Sequence, residues 1–321
     1  MLNDFQSEID DLIKRYEYKQ DFVYYTSGST GKPKEIVLSY ETMKMCVEEN
    51  IRIMKITDKS TIVNLCIPPT SIAFSCFTTL TALVAGAKLI TRKFKANEYV
   101  DNLNEFQGTH HFVIPAVYRT LSRTRKWEEL DLSSYELLMT GSDLAPEGIK
   151  NDLLSKGAKR FLQIYGSTEV PPAISESEDE KDIANVSPLI DYKIADDGEL
   201  FIKWQCQDEY WASGDLVERV DDGFKMVGRK KNILRLNCAH VQPELIEQYI
   251  MNKTKVDRAL VTRSKNDKIG VYFEGPETKQ TEVFNSLNAF YGTSDNIVDF
   301  VKWVPKIETN HLNKVIRHQS L

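Results

Sequence analysis

The stretch "YYTSGSTGKPKEIVLSY", residues 24–40, decides how the rest of the chain is read. "DFVYYTSG" is aromatic and β-branched up to its glycine, and "KEIVLSY" alternates apolar with polar, so two strands are expected with a loop between them. Gly28 and Gly31 let the backbone curl until successive N–H groups converge on an anion. Ser27, Ser29 and Thr30 add hydroxyl donors, Lys32 and Lys34 add charge, and Pro33 stiffens the exit. The common P-loop signature is absent, because it needs Ser or Thr and a helix after its lysine, and here Pro33 follows Lys32. The chemistry is that of a polyphosphate cradle. Taken alone, the same residues also describe a flexible Gly/Ser turn with solvated lysines.

Outward from this loop the texture is α/β. Met43, Val47, Ile51 and Met54 recur at helical spacing, "STIVNLCI" reads as a buried strand, and "SIAFSCFTTLTALVAGA" reads as a buried helix ending at Gly86. "AKLITR", "HHFVIP", "YELLMTG" and "KRFLQIYG" are further short apolar runs, separated mostly by helical patterns. Strand and helix in alternation imply a parallel sheet, with ligands at the carboxyl ends of its strands. After the acidic run "SESEDEKD" (175–182), expected to be a surface loop, "YKIADDGELFIKW" and "SGDLVERVDDGFKMVGR" are short strands around Asp-Gly turns, which predict β-hairpins. A hinge is expected near Gly228–Lys231. Beyond it lies a small α+β domain of a helix, two strands, another helix and a basic tail.

Composition sets the outer bounds. The 321 residues are enough for two domains, and a net charge of -6 argues against holding nucleic acid by bulk charge. The five cysteines, Cys46, Cys66, Cys76, Cys206 and Cys238, form no CxxC pair, so neither a disulfide framework nor a zinc site is suggested. The uncharged run from Thr61 to Ala87 is broken by Pro68-Pro69 and carries many hydroxyls, so a strand, a turn and a buried helix account for it better than a membrane span. The N-terminal segment is charged throughout and unlike a signal peptide. A soluble, cytoplasmic chain is expected.

In order, "TSGSTGKPK", "TGSDLAPE", "YGSTE", "SGDL", "GRKKNILRLNCAHVQPELIE" and a late lysine resemble the adenylate-forming superfamily, over about Tyr24 to Arg317. The resemblance is strongest to acyl-CoA synthetases. It implies an α/β adenylate-forming fold with a reduced large domain (1–229) and a mobile α+β lid (230–321). It also implies activation of a carboxylic acid by ATP as acyl-AMP, release of pyrophosphate, and transfer to the thiol of CoA or of a carrier-protein phosphopantetheine. Carried over by position, Thr26 to Lys34 would hold the β- and γ-phosphates, with Thr30 and Glu169 serving Mg²⁺. Tyr165, followed by Gly166, would stack on adenine, and Gly141 would let backbone approach its other face. Thr168 would donate to the α-phosphate, and Asp215, beside Arg229, would accept from the ribose hydroxyls. Lys314, with Arg317 three residues on, would stabilise the transition state at the α-phosphorus.

The sequence also departs from the family pattern. The large N-terminal subdomain usual before the phosphate loop is represented at most by residues 1–21. Cys238 stands where the post-hinge loop usually has Gly, Leu245 replaces a usual Glu while Pro243 and Glu247 remain, and Asn313 replaces the Gly before the lysine. Around "CIPPTSIAF" no acid is present to bind an amino group, so a neutral pocket for an aliphatic or aromatic acid is expected rather than one for an amino acid. That pocket would be built from the helix at 71–87, from "HHFVIPAVY" and from the "TGSD" loop. Two alternatives stand beside the acyl-CoA synthetase: an acyl-AMP ligase that loads a carrier protein, and a non-catalytic nucleotide- or acyl-adenylate-binding relic. Retention of Glu169, Asp215, Arg229 and Lys314 together weighs against the relic.

Overall fold

A computed structural model describes residues 3–27, 33–65, 73–141, 148–171, 182–183, 186–220, 223–236, 239–291, 297–309 and 315–317. The opening motif forms the antiparallel hairpin β1 (Phe22–Ser27) and β2 (Pro33–Leu38), in register from Phe22↔Leu38 to Ser27↔Pro33. One face carries Phe22, Tyr24, Ile36 and Leu38, all buried, while Val23, Tyr25 and Val37 lie exposed on the other, as a period of two requires.

The apolar runs that follow form β3 (Thr61–Asn64), β4 (Lys88–Thr91), β5 (His110–Phe112), β6 (Leu137–Gly141) and β7 (Phe161–Ile164). They make a wholly parallel sheet in the order β4-β3-β5-β6-β7. Every residue of β6 and β7 is buried, the burial expected of a parallel sheet covered on both faces.

Among the described residues, six α-helices accompany this part of the chain: α1 (Gln6–Glu17), α2 (Tyr40–Met54), α3 (Ala73–Val84), α4 (Tyr99–Phe106), α5 (Pro115–Leu121) and α6 (Ile149–Ser155). The ends of α2 follow local rules. Ser39 caps it by accepting from Thr42 N, and Lys55 closes it in the left-handed region at φ 57°. Helix α1, to which the sequence reading assigned no element, buries Ile9 and Leu12. The residues before it are tied to the end of β4: Asn3 Oδ1 accepts from Thr91 N at 3.0 Å and Asp4 Oδ2 accepts from Lys93 N at 3.0 Å.

The Asp-Gly segments give β9 (Ile190–Ile194), β10 (Glu199–Trp204), β11 (Trp211–Val220) and β12 (Gly223–Arg229), which with the short β8 (Asp182–Ile183) form one sheet ordered β8-β12-β11-β10-β9. Asp182, read as the end of a surface loop, starts β8 and pairs with Lys225, while residues 175–181 lie outside the described set.

The remainder contains β13 (Leu234–Leu236) paired with β14 (Ala239–Val241), then α7 (Pro243–Thr254), β15 (Arg258–Arg263), β16 (Ile269–Glu274), α8 (Gln280–Tyr291) and β17 (Val298–Trp303). β15 runs antiparallel to β16, and β17 joins as a parallel third strand that the sequence reading did not assign.

The chain divides into two compact units, one of residues 1–195, 200–213 and 219–225, the other of residues 196–199, 214–218 and 226–321. The first has a core around Tyr99, Trp127, Tyr135, Leu138 and Phe161, and the second one around Ile250, Val256, Val271, Phe273 and Leu287. Among the described residues, no helix is long and apolar enough to cross a membrane.

Candidate active site

Within the first unit, the β1–β2 hairpin meets the loop that follows β7. Ser27↔Pro33 is the last pair of the hairpin. Past it, Lys34 Nζ lies 3.6 Å from Oε1 of Glu169, a carboxylate whose side chain is 19 % exposed.

The loop carrying Glu169 is held from several sides. Val170 N donates to Ser167 Oγ and Ser167 N donates to Val170 O, each at 3.0 Å, which closes a tight turn around Thr168 and Glu169. Gln207 Nε2 donates to Glu169 O at 3.3 Å, and the buried Trp204 donates its indole N–H to Pro171 O at 3.2 Å. The Glu169 carboxylate therefore projects from a fixed turn at the carboxyl end of a parallel strand, where α/β sheets bind ligands.

Tyr165, directly after β7, is half-buried, and its ring meets Phe224 edge to face at 5.4 Å. Gly166 is exposed and Thr168 half-buried in the same loop. Gly141 ends the neighbouring strand β6, and a Cβ there would come within 2.5 Å of Ile164 O. The strand pair therefore requires a glycine at this position whether or not a base lies beside it.

Among the described residues, no three His, Cys, Asp or Glu side chains gather into a metal cage. Magnesium carried on phosphates needs only one or two protein oxygens, so a single half-buried carboxylate beside Lys34 fits it.

In the second unit, Arg229 Nε lies 2.8 Å from Asp215 Oδ1, and the Asp215 side chain is 3 % exposed. Glu199, not singled out from the sequence, braces both members of the pair through their neighbours. Its Oε1 accepts from Gly214 N at 3.2 Å and its Oε2 from Lys230 Nζ at 2.6 Å. Gly214 adopts φ +69°, a left-handed conformation natural to glycine. Lys230 also pairs with Asp197 at 2.6 Å, and these two carboxylates raise its pKa. No local pattern marks Glu199. Only its place just after an Asp-Gly turn could have drawn notice.

The tail returns to α7. Arg317 donates Nη1 to Glu247 Oε1 at 2.8 Å and Nη2 to Glu247 Oε2. Burial pushes the Glu247 carboxyl up to about 7, against the opposing pull of Arg317 and of the Val261 N–H.

Several expected site residues lie outside the described set: Gly28, Ser29, Thr30, Gly31, Lys32, Cys238 and Lys314. The side chains of Thr26 and Ser27 lie outside it as well. The same holds for Ser71 and for the residues after Gly141 in "TGSD", two parts of the expected acyl pocket.

The paired histidines of "HHFVIP" are committed to the core. His111 Nδ1 donates to Val63 O at 2.7 Å, since a carbonyl only accepts, and Nε2 accepts from Tyr99 OH at 2.6 Å. His110 likewise donates from Nε2 to Met54 O at 2.9 Å.

Solved structures of adenylate-forming enzymes share this fold. The O-succinylbenzoate coenzyme A synthetase of Bacillus subtilis, solved with AMP, matches with a TM-score of 0.78 at 18 % identity, over 92 % of this chain and 68 % of that one. ATP-bound MatB from Rhodopseudomonas palustris matches with a TM-score of 0.77 at 17 % identity, over 91 % of this chain and 66 % of that one. The sequence profile of the AMP-binding enzymes matches residues 19–205, more than half of the chain, and the chain belongs to that family. An indoleacetate–CoA ligase from Aromatoleum aromaticum is 23 % identical over 282 residues, 77 % of this chain and 55 % of that protein. The human mitochondrial medium-chain acyl-CoA ligase ACSF2 is 22 % identical over 313 residues, 80 % of this chain and 50 % of that protein. The chain thus spans about half the length of these curated relatives.

Proposed function

We propose that the chain activates a carboxylic acid with ATP, forming acyl-AMP and pyrophosphate, and passes the acyl group to a thiol such as that of CoA. The observation that carries this reading is the meeting of Lys34 with Glu169, which joins the exit of the phosphate loop to the loop after β7. A cation and a hard anionic oxygen side by side suit a magnesium-bound polyphosphate: the ammonium faces phosphate oxygens, and the carboxylate is left for the ion. Thr30 would serve the ion with Glu169, and Mg²⁺ when bound would neutralise charge on the phosphates. Tyr165, with Gly166, would cover the adenine, and Thr168 would donate to the α-phosphate. Asp215, held by Arg229, would accept from the ribose.

The carboxylate of the acid attacks the α-phosphorus of ATP, the bond to the bridging oxygen breaks, and pyrophosphate leaves. Negative charge gathers on the non-bridging oxygens, where Lys314 would supply a fixed ammonium. Residues 1–229 would hold the nucleotide and residues 230–321 would act as the lid. An aliphatic or aromatic acid suits the uncharged helix α3, whose buried polar groups Ser75, Thr79 and Thr81 are all hydroxyls.

The test is exchange of labelled pyrophosphate into ATP across a panel of acids of graded chain length and ring content. Exchange that depends on the acid supports the reading. ATP binding without exchange for any acid replaces it with a nucleotide-binding protein.

A further inference from the structure

Tyr165 is one end of a short aromatic ladder. Phe224, the second residue of β12, is fully buried and stands in register with Ile183 of β8. Its ring meets that of Tyr165 at 5.4 Å, with the two planes 87° apart. The same Phe224 ring meets Tyr192 of β9 at 5.5 Å and 62°. Tyr192 is held in turn. Its hydroxyl donates to Gly223 O at 3.5 Å, and the Arg219 guanidinium carbon lies 5.8 Å from the centre of its ring. All four side chains belong to the first compact unit.

We propose that Phe224, backed by Tyr192, is a positioning residue for the adenine of ATP: it fixes the plane of the Tyr165 ring, so that the base stacks on a ring already ordered. The proposal rests on the adenylation reading above, and within it on Tyr165 as the side chain that covers the adenine. Tyr165 directly follows β7, so the sheet anchors its main chain while its half-buried ring still has side-chain torsions to fix. Two rings at a right angle touch edge to face. Such a contact takes up at most one face of Tyr165, so it is compatible with a base stacked on the other. A ring that must be ordered on binding gives up part of its stacking gain as lost rotamer freedom, and a ring ordered beforehand keeps it. Leucine at position 224 would keep most of the apolar volume and lose the edge-to-face contact.

The test is a double-mutant cycle read by calorimetry with Mg²⁺ present. ATP and inorganic tripolyphosphate, which carries no base, are titrated into wild type, Phe224→Leu, Tyr192→Leu and Tyr192→Phe. The two leucine variants are also made in a Tyr165→Ala background. Phe224→Leu should weaken ATP binding by about three- to tenfold, the range of one aromatic pair, and leave tripolyphosphate within about twofold of wild type. Tyr192→Leu should act in the same sense but more weakly, and Tyr192→Phe, which keeps the ring, should bind ATP within about twofold of wild type. In the Tyr165→Ala background Phe224→Leu should cost nothing further, because the ring it positions is gone. If Phe224→Leu does not fold, Tyr192→Leu carries the same cycle, since Tyr192 is only half-buried. No loss in the leucine variants, equal losses in the two backgrounds, or equal losses for ATP and tripolyphosphate overturns the proposal and leaves adenylation standing. A Tyr165→Ala protein that binds ATP as wild type does also overturns it, by removing Tyr165 from the base. A wild type that binds no ATP overturns both.

Discussion

Lys34, the residue after the Ser27↔Pro33 pair and itself paired with Thr26, sits 3.6 Å from Glu169 in the turn after β7. With 59 % of its side chain exposed, Lys34 contributes little to folding through this contact, because solvent screens such pairs. Its value is positional. Lys34→Ala should leave the melting temperature nearly unchanged and weaken ATP·Mg²⁺ binding by about tenfold, the loss of one charge-assisted hydrogen bond. Glu169→Gln should weaken ATP binding with Mg²⁺ present and have little effect with the metal chelated. Calorimetry with and without EDTA reads both. Equal metal dependence in wild type and Glu169→Gln would take Glu169 out of the metal site.

Asp215 is buried on the guanidinium of Arg229, and Glu199 braces the residues beside both. A carboxylate so held presents a fixed acceptor, so wild type should bind ATP better than 2′-deoxy-ATP by about tenfold or more. Asp215→Asn should narrow that preference, and Glu199→Gln, which loosens the bracing without touching the carboxylate, should narrow it less. Competition titrations with the two nucleotides measure the ratio. A preference that survives Asp215→Asn intact would assign the ribose to another group.

Gly141 carries two explanations that one variant separates. Its Cβ would meet Ile164 O at 2.5 Å across the β6–β7 pair, so Gly141→Ala should destabilise the fold by about 1–3 kcal/mol through overpacking alone. Urea unfolding of the nucleotide-free protein checks this. If stability is unchanged and only nucleotide affinity falls, the glycine serves the base rather than the sheet.

The sequence carried the fold further than it carried the site. Each short apolar run expected to be a strand, from "STIVNLCI" to "KRFLQIYG", is a strand of the parallel sheet, since strands buried on both faces are largely apolar, and the longer run between the first two is helix α3. The Asp-Gly pairs marked the junctions β9–β10 and β11–β12 for an equally local reason: Asp followed by Gly favours the backbone that a hairpin connection needs. Helix α1 went unread although Ile9, Leu12, Ile13 and Tyr16 stand at helical spacing, because the charges among them dominate the segment's composition. β17 went unread because "VDFVKW" has an ordinary alternation beside a Lys and an Asp.

At the site, motif spacing pointed to Glu169, Asp215 and Arg229. It could not give Glu199 or the Glu247–Arg317 pairing. These depend on which side chains the finished fold brings together, and neighbouring residues carry no trace of that.

Burial lowers the His111 pKa from 6.5 to about 4, with the Val63 carbonyl as a smaller opposing influence, and burial shifts His110 the same way. The unfolded chain therefore binds more protons than the folded one between about pH 6.5 and 4, and stability falls as pH drops through that window. His111 alone should account for about 2 kcal/mol between pH 7 and pH 5. The Glu247 carboxyl, pushed up to about 7, acts in the opposite sense over part of this range, so the measurement is a difference. His111→Gln, which does not titrate, should be less stable than wild type at pH 7, and its denaturation midpoint should drop less toward pH 5. Parallel pH dependences in the two proteins would mean that His111 does not couple folding to protons.

If the chain joins a carboxylate to the α-phosphate of ATP, Lys314 is the residue whose loss should show it. Pyrophosphate release is measured for wild type and Lys314→Ala with the best acid from the exchange panel, alongside ATP affinity. Wild type should release pyrophosphate only with the acid present, and the variant should release it about a hundredfold or more slowly, as when one transition-state charge contact is removed. ATP affinity should change little, because the groups assigned to hold the nucleotide are untouched. Release that is equal in the two proteins, or absent from wild type with every acid while ATP still binds, would contradict adenylation by this chain.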